Sequence, residues 1–186
     1  MDAFSYLSVM LSIILGLAIT QVLQGYRGLL LSRARVRLYG PTLIWSALML
    51  LFATQAWWAS FGLADYRDWT FAGFAVLLLQ MALMYLMSGI VLPDIPAGET
   101  VDLESHYFRE RRPFFALLLA MLCASVAKDV TLDGHWPTPE NLAFHAIFAA
   151  NAGLALVTTN RHVHRWLAPA IVLLTGLYIA LLFARL

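Results

Sequence analysis

AFSYLSVMLSIILGLAITQVL, residues 3–23, runs for 21 residues without a charged side chain. A helix needs about 20 apolar residues to cross a hydrocarbon core, where backbone amides find no partner except within a helix or a closed barrel. The stretch therefore reads as a membrane span, continuing as helix to Leu31. With only Met1 and Asp2 ahead of it and no basic leader, it is expected to be retained rather than cleaved as a signal.

Five more spans follow from the same reading. The second is expected over 41–62, opening on Pro41, whose missing N–H costs nothing in the first turn of a helix. Ala64-Asp65-Tyr66-Arg67-Asp68 is too short a connection for anything but an antiparallel neighbour, and it leads to a third span over 69–92. A linker over 93–112 contains Pro96 and Gly98, then Asp102 to Arg112 with its acids ahead of its bases, an order that favours a short helix along its own dipole. The fourth span is expected over 113–130 from Pro113. The fifth, over 139–159, has the clearest start, Thr138-Pro139-Glu140: a capping hydroxyl, proline in the first turn and an acid beside it. After a compact loop over 160–165 the last span covers 166–184.

The fold class is thus all-α: a polytopic bundle of six transmembrane helices forming one domain over residues 1–186. Composition agrees, with 61% hydrophobic and 12% charged residues, where a soluble domain carries about 25% charged. No basic tail or block of like charge is present, so nucleic acid is not an expected partner. Cys123 is the only cysteine. It has no partner for an intramolecular disulfide, and its apolar surroundings suggest packing.

Lysine and arginine orient the spans. Arg27, Arg33, Arg35, Arg37, Arg109, Arg111, Arg112, Arg161 and Arg165 fall on one set of loops; only Arg67, Lys128 and Arg185 fall on the other, nine against three. The first set is expected in the cytoplasm, with the 93–112 linker, and both termini on the non-cytoplasmic side. Trp57, Trp58, Trp69 and Trp136 mark outer borders; Tyr39, Tyr107 and Trp166 mark inner ones. Eleven arginines against one lysine fit a GC-rich bacterial genome, hence a plasma membrane, the bacterial inner membrane.

Polar residues at bilayer depth are costly and point to function. Lys128 and Asp129 lie roughly 22 Å along the fourth span, Gln55 at a comparable height on the second, and His145 near the outer start of the fifth. Gln80 and Asn151 lie deeper. Gln55, Gln80, Lys128, Asp129, His145 and Asn151 are the candidate polar site, with interfacial pairing and interhelical hydrogen bonds as the alternative. As sequence neighbours on a helix, Lys128 and Asp129 point about 100° apart and are not expected to face one partner. Ser12 with Gly16, and Ala149 with Gly153, are small residues four apart that suit close helix packing in the bundle or at a subunit contact.

Among the histidines only His145 is expected within a span, which disfavours haem. No protease motif, voltage-sensing arginine series or selectivity filter is recognisable. No cofactor, metal or catalytic residue is assigned. The leading expectation is a small oligomeric transporter or channel for a solute or ion; the alternative is a non-catalytic membrane subunit that binds a partner protein. The partners are the lipid bilayer and either further copies of the chain or another membrane protein.

Overall fold

The computed structural model describes residues 3–96 and 98–182. Its helices are α1 (Ala3–Leu31), α2 (Gly40–Ser60), α3 (Phe71–Ile90), α4 (Leu103–Asp133), α5 (Pro139–Val157) and α6 (Arg161–Leu182). All six are long and apolar enough to cross a membrane, the pattern of a membrane protein. Residues 183–186 lie outside the described residues, and with them Arg185 and the expected end of the last span.

Local chemistry sets the helix ends. Gly73 N–H donates to the Thr70 hydroxyl ahead of α3 (3.1 Å), Glu104 N–H to the Asp102 carboxylate ahead of α4 (2.9 Å), and Asn141 N–H to the Thr138 hydroxyl ahead of α5 (3.3 Å). Each cap satisfies a donor that the first helical turn leaves unpaired. Helix α4 stops at Gly134, whose left-handed φ of 73° suits glycine and whose N–H closes on the Val130 carbonyl.

Two expected boundaries move. Residues 103–112 are not linker but the first three turns of α4, which runs unbroken through Pro113. Likewise α6 begins at Arg161 and runs through Pro169, so 161–165 is helix rather than loop. Proline is tolerated at both places because the carbonyl it strands, four residues earlier, belongs to exposed Arg109 or Arg165.

Packing order around the bundle is α1, α3, α4, α5, α6, α2 and back to α1, a closed ring of six helices. Close approaches are set by glycine: a Cβ on Gly25 would lie 2.7 Å from Leu92, and one on Gly73 2.7 Å from Leu132. By contrast, Gly16 and Gly153 have open space around them, and Ser12 lies exposed on the outer face of α1. The two small-residue pairs therefore do not mark close helix contacts within the chain. Cys123 is also exposed on α4 rather than packed in the core.

The loops joining α1 to α2, α3 to α4 and α5 to α6 form the arginine-rich end. There β1 (Val36–Arg37) pairs in parallel with β2 (Val101–Asp102), tying the first of these loops to the second. Inside the ring at this end Trp45 packs edge-to-face on Phe114 (5.4 Å) and Phe115 (5.2 Å), with Met49, Met87 and Tyr107 buried around them. Trp57, Trp58, Trp136 and Trp166 are exposed, but Tyr39 and Tyr107 are buried parts of this plug and not border rings. Burial pushes the Tyr39 phenol above its ordinary range, so it stays protonated.

Candidate functional site

The ring that is plugged at one end is hollow at the other. A cavity of about 350 Å³ is enclosed by α2 to α6, and its rim is formed by Ser60, Leu63, Asp133, His135, Pro137 and Thr138 at the arginine-poor end. It narrows to an apolar floor of Phe52, Met84, Leu118 and Phe148. Measured along α4 from Asp133 to Leu118, it is about 22 Å deep.

Five of the six candidate residues line it: Gln55 from α2, Gln80 from α3, Lys128 and Asp129 from α4, and His145 from α5. Asn151 does not. It lies six residues beyond His145 on α5, which turns it about 120° away from the lining face, while Asn141, His145 and Phe148 advance by four and three and share that face.

Lys128 and Asp129 pair with each other, Nζ to Oδ1 at 2.8 Å, with side chains 24% and 16% exposed. The flexible lysine stem spans the angle between adjacent helical positions, so the two charges meet despite their sequence adjacency. The pair is partly buried and therefore less weakened by water than a surface pair. His145 Nδ1 lies 2.9 Å from the Asn141 carbonyl. A carbonyl only accepts, so Nδ1 carries a proton. The imidazole also packs edge-on against the Tyr178 ring at 6.4 Å.

Three lining groups were not singled out from the sequence. Asn141 and Thr175 join Gln80 in presenting a buried side-chain oxygen, Oδ1, Oγ1 and Oε1 respectively, with no hydrogen-bond partner among the described residues. Tyr178 adds an aromatic wall. A signal for Thr175 was present: His164, Ala168, Ile171 and Thr175 advance by four, three and four, and all are buried on the inner face of α6. That face was hidden by placing His162 and His164 in a loop.

At the opposite end several buried polar groups are paired, although Tyr39 Oη, Ser88 Oγ and Arg111 Nε have no hydrogen-bond partner among the described residues. The Tyr107 hydroxyl donates to His164 Nδ1 (2.8 Å), and His164 Nε2–H donates to the Thr158 carbonyl (3.1 Å). Arg111, only 5% exposed, donates through Nη1 to the same carbonyl at 2.6 Å. Thr158 ends α5, so the guanidinium sits where a helix dipole favours a cation. His106, also buried and within α4, donates from Nε2 to the Ile90 carbonyl (3.0 Å) and accepts from Arg109 at Nδ1. These contacts hold α3 to α6 together around the plug.

No protein-family model, no curated protein and no solved structure matches this chain.

Proposed function

We propose that this protein binds a small solute in the hollow half of its ring and carries it across the membrane, loading from the arginine-poor end. One observation carries the reading: a cavity within a single chain that gathers Gln55, Gln80, Lys128, Asp129 and His145 from four helices. Scattered polar residues would serve interhelical hydrogen bonding equally well; a shared cavity with unpaired oxygens is suited to a polar guest. Trp45, Phe114 and Phe115 pack together at the other end, which supports loading from one side over an open channel. The arginine bias sets the plugged end in the cytoplasm and the mouth outside it, and the membrane is taken to be a bacterial inner membrane.

Side-specific thiol labelling tests this. Cys123 is replaced by Ser, and Ser125→Cys or Gln55→Cys is added at the cavity wall. In sealed vesicles of known orientation without solute, a membrane-impermeant methanethiosulfonate should modify either cysteine faster from the mouth side than from the other. Equal labelling from both sides would mean a through-channel, and no labelling from either side would mean a dry bundle; each outcome rejects one-sided loading.

A further inference from the structure

We infer that the guest of this cavity is a single-chain amphiphile, seated with its hydrocarbon end on the floor and its polar end at the mouth, and that the cavity selects for the chain and not for the sign of the head. The inference rests on the binding role proposed for this cavity and specifies its guest. A volume of about 350 Å³ corresponds to about a dozen non-hydrogen atoms, a water's share of liquid being about 30 Å³. Spread over about 22 Å of depth, that volume is a narrow tube, which suits an unbranched molecule lying along the bundle axis.

The polarity of the wall changes with depth, and four helices change it together. Along α4 the lining residues Leu118, Met121 and Leu122 come first from the floor, and Ser125, Lys128 and Asp129 follow toward the mouth. Helix α5 presents Phe148 at the floor with His145 and Asn141 above it, α2 places Phe52 below Gln55 and Ser60, and α3 places Met84 and Met81 below Gln80. Leu77 on α3 departs from this order, as does α6, where Thr175 lies below Ile179. Measured along α4 from Leu118 to Ser125, the apolar part is about 10 Å long.

Each part of this wall favours the same guest. Met81, Met84 and Met121 stand in the deep part, and the unbranched, polarisable methionine side chain adapts to an irregular apolar surface. Hydrocarbon buried against them gains about fourfold in affinity per CH₂, whereas a wholly polar solute gains nothing from the floor. The outer half offers both charges and both hydrogen-bonding senses: Lys128 beside Asp129, the amides of Gln55 and Asn141, and the Ser125 hydroxyl. A head of either sign finds a partner there, so the outer half orients the guest without choosing its charge.

The test is protection of a cavity thiol. Ser125→Cys in the Cys123→Ser chain is labelled from the mouth side of sealed vesicles in the presence of octanoate, octylammonium, butanoate or butylammonium, each at known free concentration. Both eight-carbon compounds should halve the labelling rate at a concentration at least about tenfold below that of their four-carbon homologues, which requires only two of the four added CH₂ groups to reach the floor. Labelling of Asp65→Cys, in the exposed loop between α2 and α3, should be unaffected, which separates occupancy of the cavity from a change in membrane surface charge. Met84→Gln, on a floor residue 2% exposed, should reduce the advantage of the longer chain to below about threefold, and Met84→Leu should keep it; the chain-length comparison stands without either variant. Equal potency of the two chain lengths, protection by one head sign alone, or equal slowing at Asp65→Cys would overturn the inference. Faster mouth-side labelling with no protection by any of the four would overturn it too while leaving one-sided loading intact, whereas loss of the side preference would remove the binding role itself.

Discussion

Trp45→Ala should unplug the ring. Trp45 is 1% exposed and packs edge-to-face on two rings, Phe114 and Phe115, at 5.4 and 5.2 Å. In water, truncating such a residue costs about 3–5 kcal/mol, part of it from the loss of apolar burial. In a bilayer that part shrinks, because the unfolded reference already sits among lipid tails. The two ring pairs remain, at about 0.5–1.5 kcal/mol each, so the expected loss is about 1–3 kcal/mol. Reversible unfolding by denaturing detergent in mixed micelles measures it. The double variant Trp45→Ala/Phe115→Ala should cost less than the sum of the singles, because the shared contact is lost only once. In sealed vesicles Trp45→Ala should also let a small probe that enters the cavity leak through, whereas Trp45→Phe should retain most of the block. A loss below about 0.5 kcal/mol, or additive singles, would refute the plug as a packed unit; a stable variant without leak would refute its role as the barrier.

Three further outcomes are expected. Tyr107→Phe strands the buried His164 Nδ1, which accepts from the Tyr107 hydroxyl at 2.8 Å, and should cost about 1–3 kcal/mol in the same unfolding assay. Gly25→Ala drives a Cβ to within 2.7 Å of Leu92 Cδ1 and 2.8 Å of its Cβ and should cost about 1–3 kcal/mol; Leu92→Ala in the same chain removes only the first of these contacts and should relieve the clash in part, leaving the double variant less stable than Leu92→Ala alone in the same unfolding assay. Lys128→Ala leaves Asp129 without its partner at the cavity wall and should cost about 1–3 kcal/mol in the same unfolding assay, whereas unchanged stability would show that the pair does not hold the wall.

Hydropathy alone located all six helices, because crossing a hydrocarbon core demands length and apolarity that little else in a sequence imitates. It did not reveal where helices continue beyond the core. Leu103–Arg112 and Arg161–Arg165 are polar, so a reading tuned to apolarity ends the spans at Pro113 and Trp166, while the backbone continues as helix on both sides. Gln55, Gln80, Lys128, Asp129 and His145, picked out as polar residues within spans, line one cavity. Rotation about each helix axis was less legible. Asn151 has the right depth and the wrong azimuth, which the six-residue step from His145 already encodes, and Thr175 is found only by following the inner face of α6 from His164. Small-residue spacing misled for a related reason: Ser12 and Gly16 permit a close approach, but nothing in their spacing says that another helix of the chain comes near.

The two-residue pairing of Val36–Arg37 with Val101–Asp102 bears on which parts of the molecule can swing. Asp102 belongs to that pairing and also caps α4, while the Thr42 hydroxyl in the first turn of α2 donates to the Leu103 carbonyl at 3.1 Å. Helices α2 and α4 are thereby latched at their plugged ends and must move there as one piece. What joins α5 and α6 to that piece is side-chain contact: Arg111 and, through His164, Tyr107 of α4 converge on one carbonyl at the end of α5, and Arg161 of α6 pairs with Glu104 of α4 at 2.9 Å. Under the proposed carrier role, the contacts at the Thr158 carbonyl and the Arg161–Glu104 pair are what an opening at the plugged end has to break, while α2 and α4 stay tied.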